Sequence, residues 1–287
     1  MKREAASARV NGIRMHYVRQ GAGPLVMLIH GFPETSYCWR KVMPLLAPHF
    51  TVVAPDMRGY GLSDKPADGY DKKTMAADMR ALAEAIGFQK IAVMAGHDRG
   101  ARVAHRCGLD YPDVVERLVM LDLIPTREAL RDLDFNRAKM YWHWFFHLVP
   151  DVPEIMIGSN LETYVQMFFK NAHIREAVDE AVPEYVKALS RAGALRSALE
   201  DYRQTFGKDL EDDDAAAAAG QKLRMPTLLL WGAEGLNADR EKMLGIWRKY
   251  AEDVDAAAVP GSGYYMAEET PEPLAKHIIE LAQRSKA

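Results

Sequence analysis

The sequence predicts an α/β protein in which a mostly parallel sheet carries helices on both faces and a helical cap is inserted late in the chain. Three observations predict it. Short apolar runs bounded by Gly, Pro and Asp alternate with stretches of helical period, as strands and crossover helices do. That alternation breaks after Pro125 and resumes near Met225. At 287 residues, 48% of them apolar, the chain is long for one compact domain, short for two, and well supplied for a core.

In chain order, strands are expected at Val10–Val18, Leu25–His30, Phe50–Ala54, Ile91–Ala95, Leu118–Leu123, Thr227–Trp231 and Asp255–Val259. Helical patterns fall at Tyr37–Leu46, Thr74–Ile86, Ala101–Leu109, Arg240–Tyr250 and Pro273–Gln283. The interval 126–222 lacks strand alternation and is rich in aromatics and helix formers, above all Tyr141-Trp142-His143-Trp144-Phe145-Phe146, Tyr164–Phe169 and Tyr185–Ala192. It is expected to be the cap, with 1–125 and 223–287 forming the core. The tract Glu211-Asp212-Asp213-Asp214 followed by Ala215–Ala219 is low in complexity and is expected to be a solvated connection near the cap's return.

A net charge of −3 supplies no basic field for nucleic acid and no cationic block for an anionic membrane. The opening Met1-Lys2-Arg3-Glu4-Ala5 leads into polar sequence, and no apolar run approaches the length of a membrane span. A soluble cytoplasmic protein without nucleic-acid or membrane partners is expected. Cys38 and Cys107 fall in helical patterns, where small buried hydrophobes are expected and neither a disulfide nor a metal site follows.

Four features carry chemistry. Gly96-His97-Asp98-Arg99-Gly100 follows an apolar strand and opens a helix, so it reads as a strained strand-to-helix elbow with a carboxylate nucleophile, Asp98, at its tip. A carboxylate can displace a leaving group at saturated carbon and leave a covalent ester. His30-Gly31-Phe32-Pro33 offers a tight turn whose backbone N–H at Phe32, with that of Arg99 after the nucleophile, is placed to form an oxyanion hole. Asp56-Met57-Arg58-Gly59-Tyr60-Gly61-Leu62-Ser63-Asp64 reads as a shaped structural loop. Asp122, at the carboxyl end of a strand, is either a cap or the acid that orients a catalytic base.

HGFP, DxRGYGxSD and GHDRG in this order resemble the α/β-hydrolases that use an aspartate nucleophile, which include epoxide hydrolases, haloalkane dehalogenases and fluoroacetate dehalogenases. The resemblance covers nearly the whole chain and implies the α/β-hydrolase fold. Epoxide hydrolases and haloalkane dehalogenases usually carry tryptophan after the aspartate; here Arg99 stands there, with Arg102 three residues on. Arg99-Gly100-Ala101-Arg102 resembles the RGxR of fluoroacetate dehalogenases, which implies that both arginines hold a substrate carboxylate with their guanidinium forks. The plainer alternative is an ion pair within the helix together with charge balance for Asp98. Tyr141-Trp142-His143-Trp144 resembles that family's YWHW run and Asp201-Tyr202-Arg203 its DYR, which implies that His143, Trp144 and Tyr202 donate to the departing halide. The resemblance also suggests a homodimer and calls for no metal or organic cofactor.

One position departs from the family. Its catalytic histidine lies in a glycine-rich turn after the last strand, and in Pro260-Gly261-Ser262-Gly263-Tyr264-Tyr265-Met266-Ala267-Glu268-Glu269 that place holds Tyr264. A phenol of pKa about 10 is a poor base at neutral pH beside an imidazole of pKa about 6.5. Attack by Asp98 needs no base, whereas hydrolysis of its ester does. No other histidine is an obvious substitute: His97 is expected to point away from the site, and His105 and His277 to pack within helices. The expected function is hydrolytic dehalogenation of small 2-haloacids, with the second half-reaction impaired. An epoxide hydrolase, with Tyr141 and Tyr202 activating the epoxide oxygen, and a lapsed hydrolase fold that binds a carboxylate are the alternatives.

Overall fold

The computed structural model describes residues 2–131, 133–235 and 239–284. Of the expected segments, position 132 of the cap and positions 1, 236–238 and 285–287 of the core lie outside them. Eight strands, β1 (Glu4–Val10), β2 (Ile13–Gln20), β3 (Leu25–Ile29), β4 (Thr51–Pro55), β5 (Val93–His97), β6 (Leu118–Leu121), β7 (Thr227–Gly232) and β8 (Val254–Val259), form one sheet in the order β1-β2-β4-β3-β5-β6-β7-β8. β1 pairs with β2 and β2 with β4 antiparallel; every other pair is parallel. β3 to β7 are buried along their whole length, which is why they read as unbroken apolar runs.

Three expectations are corrected. The single strand Val10–Val18 is a hairpin: Asn11 and Gly12 take φ of 44° and 83°, the left-handed pair that a two-residue β-turn requires. β1 itself, EAASARV, carries three alanines and a single β-branched residue, Val10, which marks it weakly as a strand. The helix expected at Tyr37–Leu46 is a 3₁₀ segment, Ser36–Arg40, capped by the Thr35 side chain, followed by a short α-helix, Met43–Leu46, with Pro44 in its first turn. The acidic and alanine tract is no solvated connection but the helix Lys208–Ala218. Alanine is the strongest helix former, and Asp209 and Glu211 sit in the first turn, where the helix dipole favours acids.

Between β6 and β7 the described residues form only helices and their connections. Two of these helices, Trp142–Leu148 and Ala194–Thr205, pack on each other over the carboxyl edge of the sheet. β3, β5 and β6 end at that edge in His30, Asp98 and Asp122, and the turn after β8 brings Tyr264 to it. No helix among the described residues is long and apolar enough to cross a membrane.

The elbow is set by crowding. Asp98 takes φ 48° and ψ −114°, and the helix Arg99–Asp110 starts at once after it. A Cβ on Gly96 would lie 2.5 Å from the Gly100 carbonyl oxygen, and one on Gly100 would lie 2.3 Å from that of His30. Backbone atoms cannot yield as a flexible side chain can. Gly100→Ala is therefore expected to cost about 1–3 kcal/mol or more, read as a lowered urea midpoint at unchanged slope; an unchanged midpoint would contradict this packing.

Candidate active site

Asp98 sits beneath the cap with its carboxylate against the HGFP turn. The Phe32 N–H donates to its Oδ2 at 3.2 Å. Arg99 is the first residue of the following helix, so its N–H is among the free donors of a helix N-terminus. The Phe32 N–H thus meets the carboxylate directly, and the Arg99 N–H follows immediately after it in the chain. The DxRGYGxSD loop is structural, as expected: Asp56 accepts from the N–H of Ser36 (2.9 Å) and of Leu62 (2.8 Å), and Arg58 is paired with Asp78 at 2.7 Å.

The two arginines differ, and Arg99 is not the free fork expected of it. It is wholly buried, and its fork is already taken: Nε donates to Asp201 Oδ2 (3.1 Å), and Nη2 to Asp201 Oδ1 (2.6 Å), the Asp201 carbonyl (2.7 Å) and Thr205 (2.8 Å). Only Nη1 has no partner. Asp201 also accepts from the Tyr60 hydroxyl at 2.8 Å and pairs with Lys72. Burial works against its charge, yet Arg99 and Lys72 hold its carboxyl below the usual range. Neither an intrahelical pair nor a free carboxylate clamp describes Arg99; it ties the helix Arg99–Asp110 to the cap.

Arg102 is buried too, but without a counter-ion. Nη1 donates to Thr126 Oγ1 (2.6 Å) and more weakly to the Ile124 carbonyl (3.4 Å), and Nε has no partner. Among the described residues no carboxylate reaches ion-pairing distance of it. The guanidinium lies 4.7 Å over the Trp144 ring. Burial and the Arg99 charge both weaken its hold on its proton, and the nearby charge of Asp98 opposes them.

The cap closes the site with aromatics. Tyr202 is buried, with Phe32 5.4 Å and His143 5.8 Å from it between ring centroids. Burial lowers the His143 pKa to about 4, so this imidazole is a neutral N–H donor. Burial and the charge of Asp98 push the Tyr202 phenol up, keeping it protonated. Both rings feel the Asp98 carboxylate. Trp144 is buried beside them. Tyr141 lies tilted against Trp144, 4.7 Å between ring centroids.

Tyr264 is half-buried and faces the ring of His97 at 4.7 Å. Burial, then the charges of Asp98 and Asp122, raise its pKa well above that of an ordinary phenol. Its turn is pinned by Glu269, which accepts from the Gly263 N–H and from the His173 N–H. Contrary to the expectation from its place in the elbow, His97 does not point away from the site; it is buried beside Tyr264, with Nδ1 3.0 Å from Glu34 Oε2. Burial opposes its charge, but the Glu34 carboxylate outweighs that and raises the pKa to about 9. Asp122 is buried, and neither of its carboxylate oxygens accepts a hydrogen bond. Burial drives its pKa to about 8; the His97 charge and the nearby Gly232 amide, which is not in bonding geometry, offset this in part. Among the described residues, no group of three or more His, Cys, Asp or Glu is placed to hold a metal ion.

Comparison with known proteins agrees with this geometry. The family model described as the alpha/beta hydrolase fold matches residues 24–266. The chain belongs to the α/β-hydrolase fold family. This hydrolase is 38% identical over 271 residues to a soluble epoxide hydrolase of Corynebacterium sp. (strain C12), covering 92% of each chain. It is also 33% identical over 287 residues to a fluoroacetate dehalogenase of Burkholderia sp., covering 97% of this chain and 93% of the other. Among solved structures, the epoxide hydrolase CorEH without ligand superposes with a TM-score of 0.90 at 35% identity, covering 98% of both chains.

Two partnerships in this hydrolase escaped sequence reasoning. The acid beginning Asp201-Tyr202-Arg203 is the counter-ion of Arg99, and Glu34, one residue past HGFP, is that of His97. Both acids adjoin motifs, and that adjacency was the available signal. Asp122 supplies a test by pH. Its pKa rises from the ordinary aspartate value of 3.8 to about 8 in the fold, so between these values the native state holds a proton that the unfolded chain has lost. Stability from this group therefore falls as pH rises from about 4 to about 8 and is level above. Asp122→Asn should melt higher than the native chain by a margin that grows from pH 5 to pH 9; a constant margin would contradict the buried neutral carboxyl.

Proposed function

We propose that this hydrolase alkylates Asp98 with small 2-haloacids, fluoroacetate and other haloacetates, and that hydrolysis of the ester is slowed because Tyr264 stands where the base belongs. Arg102 carries this reading: a buried guanidinium beside the nucleophile, without an acid partner, gains from a substrate carboxylate the counter-charge the protein withholds. Arg99 contributes through Nη1 alone. With the carboxylate held there, Asp98 displaces halide in line at the neighbouring carbon. The leaving anion departs toward His143, Trp144 and Tyr202, whose neutral N–H and O–H donors suit a hard halide in a dry pocket. Water addition to the ester places an oxyanion at the N–H groups of Phe32 and Arg99. The Tyr264 phenol, held protonated, is no acceptor for that water's proton.

A second reading is an epoxide hydrolase, in which His143 and Tyr202 stabilise the opening epoxide oxygen. The 38% identity to the Corynebacterium epoxide hydrolase favours it. Arg102 does not, since a neutral epoxide leaves that cation bare.

Halide release separates the readings. With chloroacetate at pH 7 the native chain is expected to release about one equivalent of chloride in a burst and then continue only slowly. Tyr264→His is expected to turn over, with a steady rate about 100-fold or more above the native one. In that background Arg102→Met should raise KM for haloacetates by about 10–100-fold and leave neutral epoxides unaffected. Diol formation from a neutral epoxide, insensitive to Arg102→Met and unaccompanied by any halide release from haloacids, would reverse the order.

A further inference from the structure

We propose that Asp122, the acid left without an imidazole to orient, is itself the proton acceptor for the water that hydrolyses the Asp98 ester. This role rests on the reading of Asp98 as the alkylated nucleophile.

The sheet places the two acids side by side. β5 and β6 pair in parallel with His97 level with Leu121, so the next residues, Asp98 and Asp122, leave adjacent strands at the same height. Neighbouring strands lie about 4.8 Å apart. Both residues break from the ladder in the left-handed region, with φ of 48° and 50°. Their backbones are fixed there, the Asp98 N–H donating to the Leu121 carbonyl (3.4 Å) and the Asp122 N–H to the Leu230 carbonyl (2.9 Å). The charges of Asp98 and Asp122 both act on the Tyr264 phenol, which stands beside the pair.

Asp122 has nothing else to do. A carboxylate buried to this degree nearly always accepts hydrogen bonds, and neither oxygen of Asp122 does. The groups that face it are His97 from β5, Asp98 from the elbow, the Gly232 amide from β7, Glu269 from the helix Met266–Glu269, and Tyr264 from the turn after β8. His97 and the amide favour its charge, while Asp98, Glu269 and burial oppose it. The balance leaves a carboxyl that ionises at about 8, a basicity fit for accepting a proton from water near neutral pH. Alkylation of Asp98 removes one opposing charge and so eases that ionisation.

The step balances. The Asp122 carboxylate takes a proton from water as the water oxygen bonds to the Asp98 carboxyl carbon. The resulting oxyanion lies at the Phe32 and Arg99 amides, and its collapse breaks the bond to the product's 2-oxygen. The proton on Asp122 passes to that departing oxygen, yielding the 2-hydroxy acid; the water's second proton remains on the Asp98 carboxyl and is lost to solvent, which restores both carboxylates.

The test follows the carboxymethyl ester by intact mass after the full-length protein is loaded with chloroacetate and freed of excess reagent, from pH 6 to pH 10. In the native chain, decay is expected to rise with pH and level off above about 8, with Asp122→Asn slower by about 100-fold or more on the plateau. Decay that grows in proportion to hydroxide without levelling, or that proceeds equally in Asp122→Asn, would overturn the role of Asp122. The native pH profile stands even where the variant fails to fold. Absence of any ester on the native chain together with no chloride released would instead overturn the reading of Asp98, and the two failures are distinguishable in one series.

Discussion

The buried pairing of Asp201 with Arg99 is the interaction on which the site depends. It joins the cap helix Ala194–Thr205 to the helix that follows the nucleophile, and Lys72 and Tyr60 tie the same carboxylate to two more segments of the core. Removing one partner of such a pair leaves a bare charge in low dielectric, typically at a cost of 3–5 kcal/mol. A cap held this way seats His143, Trp144 and Tyr202 over Asp98 in one arrangement. The pairing also settles where charge is left over: Arg99 is spent on the protein, whereas Arg102, one turn on, is held by a threonine hydroxyl and a carbonyl that carry no charge.

Two buried groups are thus left unmatched, a cation and an acid. Arg102 lacks an anion, and Asp122 lacks a donor. In a folded protein such vacancies are costly enough to indicate use. A substrate carboxylate answers the first. The second is an acid beside a phenol that does not donate to it, and it shifts interest from the attack on substrate to the release of product.

Much of the fold was legible because parallel strands buried on both faces read as bare apolar runs, and because HGFP, DxRGYGxSD and GHDRG each carry a local steric requirement. The hairpin at Asn11-Gly12 was missed where β1 is rich in alanine and has only Val10 as a β-branched residue. The helix Lys208–Ala218 was missed because a low-complexity tract was weighed by its acidity before its alanine content. Asp98, Tyr202 and His143 could be named from sequence because they belong to motifs. The division of labour between Arg99 and Arg102 could not, since it turns on which arginine a cap residue about a hundred positions away reaches. The proximity of His97 to Tyr264 likewise depends on how the turn after β8 folds back over β5.

The central claim is that the site alkylates Asp98 with an electrophile that bears a carboxylate. Its most direct measurement is the mass of the Asp98 peptide after parallel incubation with chloroacetate and with uncharged chloroacetamide. A carboxymethyl group on Asp98 from chloroacetate, with little or none from chloroacetamide, is the predicted result. Equal labelling by the two reagents, or an unmodified Asp98 from both, would contradict it.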